Sequence, residues 1–357
     1  MSGLTASALA ADVVKGRLFP SEAWRFVDPA TEFELDRLTD PAHTSRLPAY
    51  YNRAVSKRGG FMLFCSDRTG SFQAFRMDLA SGGTRQLTDA EALDPPSVTL
   101  MPDERAFCYF DGPVLRLASL ASLREREVYF VPDGWKRCPG ASVTGDGLYA
   151  VFGESNGTTA RLRLVSLLRK TPVATLAEAP FEVADPVARP RRAQVLYRQG
   201  DKALWLVNFD GQQNRRLMTA PGALGPAQWA PDGRTIFYLN FPEIKQQLNS
   251  LRELTPDENT DKLLAQTSQF VQFAVNGDAS VFVGASRNRA SPHLLLLVRL
   301  ARRELTLCEH RSSDPALVAP VFAPDSQKVY FQSDKHGKPA IYRLAVERFV
   351  EKTESDA

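Results

Sequence analysis

The sequence predicts an all-β chain folded as one seven-bladed β-propeller, closed by an N-terminal strand that completes the last blade. Three observations carry the prediction: a tight-turn signal that recurs along the chain, a β-rich run after every turn, and a last repeat whose missing strand lies near the N-terminus. The turns read Met101-Pro102-Asp103-Glu104, Thr144-Gly145-Asp146-Gly147, Ala230-Pro231-Asp232-Gly233, Val275-Asn276-Gly277-Asp278 and Ala323-Pro324-Asp325-Ser326. Lys57-Arg58-Gly59-Gly60 and Arg189-Pro190-Arg191-Arg192 fill the two remaining places. Their spacing is about 40–47 residues, the length of one four-stranded blade. Proline presets φ, and Asp-Gly tolerates the backbone of such turns.

The runs after the turns are 61–65, 106–110, 148–152, 193–197, 235–239, 280–283 and 328–331, all rich in aromatic and branched residues. Third strands follow at 70–76, 203–207 and 337–343. Fourth strands end polar, as in Thr84-Arg85-Gln86-Leu87-Thr88-Asp89 and 214–219. The last unit, 317–348, offers three strands. Glu34-Leu35-Asp36-Arg37-Leu38-Thr39-Asp40 copies the fourth strand of the first unit and supplies the missing one. Joining both chain ends in one blade removes a loose seam from the ring. The expected organisation is an extension over 1–22, the propeller over 23–353 and a tail over 354–357. One segment departs from the pattern: Ile244, Leu248 and Leu251, within 241–262, have a spacing that permits a short helix.

Bulk composition narrows the function classes. Of 357 residues, 43% are hydrophobic and 24% charged, ordinary for a globular protein, and the net charge of +3 argues against nucleic acid as a partner. Arginine outnumbers lysine three to one, which suits carboxylate ligands and equally a compositional bias. Cys65, Cys108, Cys138 and Cys308 have no metal-knuckle spacing; Cys65 and Cys108 sit in apolar runs as buried thiols. No export signal and no membrane-length apolar run is present, so a cytoplasmic location without membrane association is expected. Neither a G-x-S-x-G elbow nor a phosphate loop occurs.

In a propeller the innermost strands line a central channel, whose mouth is the expected site. The candidates are Tyr50, Tyr51, Asn52 and Arg53, with Trp135, Lys136, Asp185 and Gln272. Arg137, Arg189, Pro226 and Gln269 also fall on the expected lining segments. Aromatic faces beside a guanidinium suit a sugar acid. The structural alternative packs the tyrosines between blades and pairs Arg53 with Asp185. Trp135 and Lys136 fall at a loop position, where exposure is expected. The histidines, His43, His293, His310 and His336, show no ligand spacing and none falls on an inner strand; His336 reads as structural.

The stretches Phe322-Ala323-Pro324-Asp325, Ser333-Asp334-Lys335-His336-Gly337-Lys338-Pro339-Ala340-Ile341-Tyr342 and Glu127-Val128-Tyr129-Phe130-Val131-Pro132 with Trp135 resemble the oligogalacturonate lyases, over roughly residues 30 to 350; the repeat more distantly resembles TolB-type propellers. The resemblance implies a cytoplasmic seven-bladed propeller that cleaves pectin fragments by β-elimination. A histidine would act as base, and manganese, held by histidines and a glutamine, would acidify the proton beside the uronate carboxylate. This sequence departs from that pattern. Leu317-Val318-Ala319-Pro320 stands where the family has His-Pro-His-Pro. Pro226 stands at the base position, and Val271 or Gln272 at a further metal histidine. Two loops that are long in the family, near Asn156 and Asn288, are short here. Asn52-Arg53 match a polar and a basic pocket residue. No cofactor is evident from the sequence. Three readings stay open: an active lyase; a non-catalytic propeller that binds an acidic oligosaccharide or a protein partner at the channel mouth; and an enzyme of other chemistry using Tyr50, Tyr51 or Arg53.

Overall fold

In the computed structural model, which describes residues 15–168, 173–244 and 246–350, every regular element is a β-strand apart from two 3-10 turns. The strands form seven antiparallel sheets of four or five strands, the seven expected blades. The seventh blade joins Val321–Phe322, Lys328–Ser333 and Ala340–Ala345 from the end of the chain to Glu34–Arg37 and Trp24–Val27 from its beginning. Glu34–Arg37 thus closes the ring, with Leu35 opposite Leu344. Trp24–Val27 adds a strand outside it. Leu18–Phe19 likewise adds an outermost strand to the first blade, pairing with Arg85 and Thr84. The expected tail at 354–357 and the first fourteen residues lie outside the described residues.

The recurring turn has one physical basis. In five of the turns the aspartate accepts the backbone N–H two residues on: Asp103 from Arg105, Asp146 from Leu148, Asp232 from Arg234, Asp278 from Ser280 and Asp325 from Gln327, at 2.9–3.0 Å. One residue in, or for Ala279 directly after, each of the seven turns is left-handed, with φ of 59–74° at Gly59, Glu104, Gly147, Arg191, Gly233, Ala279 and Ser326.

The copied Leu-Thr-Asp run also has a shared role. Thr88 Oγ1 accepts from Ala74 N at 2.8 Å, and Thr39 Oγ1 accepts from Ile341 N at 3.0 Å. Each threonine continues its ladder where the backbone alone would leave a buried N–H unpaired.

The hydrophobic core is divided into seven clusters, each lying between two neighbouring blades. A middle strand is therefore buried on both faces, which is why Phe61–Ser66 and Val281–Ser286 read as unbroken apolar runs rather than alternating ones. Leu35 lies in the cluster between the sixth and seventh blades, and Ile341 with Phe64 in the one that joins the seventh to the first. All four cysteines are free and buried.

The helical spacing at Ile244, Leu248 and Leu251 does not yield a helix. Leu251 is fully buried in the strand Ser250–Thr255, paired with Leu239, while Ile244 and Leu248 are exposed. Ladder partners on both sides of that strand outweigh a helical face with no surface to bury. No helix among the described residues is long and apolar enough to cross a membrane.

Candidate functional site at the channel mouth

The inner strands of four consecutive blades are bulged at the same end. Their registers shift between Arg137 and Ala141, Ala184 and Val187, Leu224 and Ala227, and Phe270 and Gln272. Proline occupies three of these bulges, as Pro139, Pro186 and Pro226, where no ladder donor is needed. A bulge bends the strand and re-aims its side chains. The bulged ends surround a cavity of about 620 Å³ at the mouth of the channel, to which every blade region contributes.

Of the eight sequence candidates, Tyr50, Tyr51, Asp185 and Gln272 line this cavity. The two tyrosine rings meet edge to face at 4.9 Å. Tyr50 Oη donates to Ala227 O and accepts from Ala227 N, both at 3.1 Å. Tyr51 Oη donates to Asp185 Oδ1 at 3.2 Å, and Arg198 lies 3.5 Å from the other carboxylate oxygen. Arg198 also donates to Gly200 O and Leu224 O. Gln272 Oε1 is buried with no hydrogen-bond partner among the described residues.

The other four candidates do not line the cavity. Asn52 is a buried clip beneath it, donating from Nδ2 to Pro96 O and Ala141 O, both at 2.9 Å, and so tying three blades together. Arg53 points away and pairs with Glu104; the partner of Asp185 is Arg198, not Arg53. Trp135 is half-buried against the core between the second and third blades, with the Arg161 guanidinium 3.7 Å above its ring, and Arg161 in turn pairs with the fully buried Glu154. Cation–π stacking and packing hold it there. Lys136 begins the strand Lys136–Val143 and is exposed; it is not a loop residue. Of the further lining segments, Arg137 and Pro226 reach the cavity, whereas Arg189 pairs with Asp257 and Gln269 accepts from Arg287.

Sequence reasoning missed Arg46, Arg198, Asp94 and Glu182. Arg137 forms an ion pair with Asp94 at 2.7 Å. Arg46 has no ion-pair or hydrogen-bond partner for its guanidinium among the described residues, and Glu182 stands exposed on the opposite wall. Among the described residues the cavity lining holds two ion pairs, one uncommitted guanidinium and one uncommitted carboxylate. Burial raises the Asp185 carboxyl above the usual range, against the pull of Arg198 and the Tyr51 hydroxyl. Burial, with the Asp185 charge beside them, also pushes both tyrosine hydroxyls up. Both hydroxyls are also engaged, Tyr50 Oη with Ala227 and Tyr51 Oη with Asp185.

The positions expected to differ from the family converge here: Pro226, Gln272, Leu317 and Ala319 all line the cavity. Their side chains offer one amide oxygen and no imidazole. No histidine lines the cavity, and both Asp94 and Asp185 are engaged by arginines. Among the described residues no group of three His, Cys, Asp or Glu side chains is placed to hold a metal ion. This donor set does not fit manganese. His310 is buried and accepts at Nδ1 from Ser312 N, with Nε2 2.9 Å from Ser286 O; burial lowers it to about 4. His336 contacts the Tyr342 hydroxyl at 2.9 Å.

A family model described as oligogalacturonate lyase matches residues 13–151, the first two blades, part of the third and the N-terminal strands. The oligogalacturonide lyase of Pectobacterium atrosepticum and the oligogalacturonate lyase of Dickeya dadantii are each 23% identical to this chain, over 94% of it and 98% of their own length. A solved oligogalacturonate lyase in complex with manganese superposes with a TM-score of 0.87 at 23% identity, covering 93% of this chain and 98% of that one. The chain is thus similar in sequence to the oligogalacturonate lyases over most of its length and shares their fold.

Proposed function

We propose that this propeller binds an acidic oligosaccharide, a short uronide of the kind released from pectin, at its channel mouth, without metal-dependent β-elimination. The observation that carries the reading is the convergence of Pro226, Gln272, Leu317 and Ala319 on the one cavity that also presents Arg46, Tyr50 and Tyr51. The mouth is sugar-sized, while Pro226 at the base position cannot accept a proton and Gln272, Leu317 and Ala319 together offer a single amide oxygen in place of imidazoles. The uncommitted Arg46 guanidinium suits a uronate carboxylate, which it can take in a two-pronged contact. Glu182 and Gln272 can accept from sugar hydroxyls, and the exposed part of the tyrosine pair offers a face to a pyranose ring.

Calorimetric titration with digalacturonate, with chelator and separately with manganese, tests this, alongside an ultraviolet assay for unsaturated product. The expected result is binding that survives chelation, no unsaturated product, and a roughly tenfold weaker affinity in Arg46→Ala, the worth of a charge-assisted contact at the low end of its range. Stoichiometric manganese with product formation would overturn it, as would failure of the wild-type protein to bind digalacturonate.

A further inference from the structure

A second cleft lies beside the mouth. Its volume is about 780 Å³, and it is lined by the 287–292 loop of the sixth blade and the connection from the sixth blade to the seventh. Arg287, Arg289 and Arg311 line it, against a single carboxylate, Glu309. Glu309 is taken by Arg311, and Arg287 donates from Nε to Gln269 Oε1 at 3.2 Å. Arg289 has no ion-pair or hydrogen-bond partner for its side chain among the described residues. The cleft therefore holds a net positive charge in a concave space of ligand size.

The wall between this cleft and the mouth is the 3-10 turn Pro315–Leu317. Pro315 faces the cleft, and the next two residues, Ala316 and Leu317, face the mouth. The wall is fixed from both sides. Asp314 caps the turn by accepting from Ala316 N at 3.0 Å, and Gln332 Nε2 donates to Leu317 O. A three-residue turn of this kind is only about 6 Å long, so the cleft and the mouth are immediate neighbours. Arg46 lies on the mouth side of this wall, and Leu317 and Gln332 line the mouth with it. Among the described residues, uncommitted guanidinium groups thus stand on both sides of one short turn, and no uncommitted carboxylate lines the cleft.

We propose that the arginine cleft is an extension subsite. It would engage the carboxylates of further uronate units of a linear oligomer whose end sits in the mouth, so that the protein prefers longer acidic oligosaccharides to dimers. This rests on the acidic-sugar reading of the mouth and adds the size of its ligand. The chemistry is a repeat of carboxylates along a chain met by a repeat of guanidiniums, with the second contact made at high effective concentration once the first is formed.

The test compares digalacturonate with tetragalacturonate by calorimetry at low salt, on the wild-type protein and on Arg287→Ala/Arg289→Ala. Both sites are exposed loop positions, and a thermal melt checks that the variant is folded. The expected result is a roughly tenfold tighter binding of the tetramer by the wild type. That gain disappears in the double variant, while dimer affinity stays unchanged. Equal affinities for both lengths, or a gain that persists in the variant, overturns the proposal. If the tetramer binds through the two arginines but the dimer does not bind at all, the mouth reading falls and the extension proposal with it, and the cleft is a separate site for acidic chains. If neither ligand binds, both fall.

Discussion

Gly140 is the hinge on which the geometry of the mouth turns, and Gly140→Ala tests it. Its φ is +86°, a conformation that costs an L-residue about 1–2 kcal/mol. A Cβ at this position would also fall 2.9 Å from Asp185 Cα, 3.0 Å from Asp185 Oδ1 and against the Tyr51 hydroxyl. The first of these is backbone and cannot swing away, so overpacking adds about 1–3 kcal/mol. Together the substitution should cost about 2–5 kcal/mol. Gly157 provides the control, because its φ is +94° and nothing lies within 4 Å of its would-be Cβ. Gly157→Ala should cost the backbone term alone, about 1–2 kcal/mol. Urea titration followed by tryptophan fluorescence compares the two through their midpoints, with the slopes checked for equality. Adding Tyr51→Phe to Gly140→Ala should recover part of the loss, since it removes one of the three contacts and leaves the Asp185 backbone in place. Equal midpoints for Gly140→Ala and Gly157→Ala would refute the reasoning, because Asp185 and Tyr51 would then not be held against the third blade.

Two further outcomes follow from the same structure. Leu35→Ala, in the strand that closes the ring, should cost about 2–5 kcal/mol because Leu35 is 1% exposed, whereas Leu18→Ala, in the added outer strand and 74% exposed, should change stability by no more than about 0.5 kcal/mol; urea midpoints measure both. Asp185 gives a pH signature. Its carboxyl is raised in the folded state, so the folded protein holds this proton more tightly than the unfolded chain. Its stability contribution is complete below the ordinary carboxylate value of about 4 and is lost as pH rises toward the elevated folded value. Asp185→Asn should remove that component of the slope of urea midpoint against pH. Arg198 keeps its bonds to Gly200 O and Leu224 O, so the guanidinium is not stranded. An unchanged slope would show that Asp185 titrates normally.

The blades were legible because their signal is local and repeated. The aspartate that accepts from the N–H two residues on needs only a four-residue stretch, and the Thr88 and Thr39 pair extends the same logic to the closing strand. The site was half legible because the fold delivers one residue per bulge from distant blades. Adjacent residues then part company: Tyr50 and Tyr51 turn into the cavity, Asn52 drops beneath it and Arg53 runs back to Glu104. A cluster in sequence was read as a cluster in space, and only its first half is one. Trp135 failed for a related reason, since the buried Glu154 recruits Arg161, and Arg161 covers the indole. Arg46 and Arg198 carried no sequence signal at all; one ends a two-residue inner strand and the other lies one residue before the end of a second strand, and only the ring closure brings them to one mouth. The spacing of Ile244, Leu248 and Leu251 misled because periodicity says nothing about whether a surface exists to bury the face it predicts.

The walls of the mouth need no metal to hold their shape. A site held open by its ligands would be expected to collapse or rearrange when they are replaced, because uncompensated polar groups and voids are costly. Here the walls are fixed by bonds that no metal supplies: Asn52 to Pro96 and Ala141, Tyr50 to Ala227, Gln332 to Leu47 N and Leu317 O, and the Arg137–Asp94 and Arg198–Asp185 pairs. Proline at 226 costs the wall little, since the backbone there is already bulged and needs no ladder donor from Pro226. The chemistry of the mouth and the architecture that holds it are therefore separable, and a fold match as close as this one fixes the second while leaving the first to the side chains.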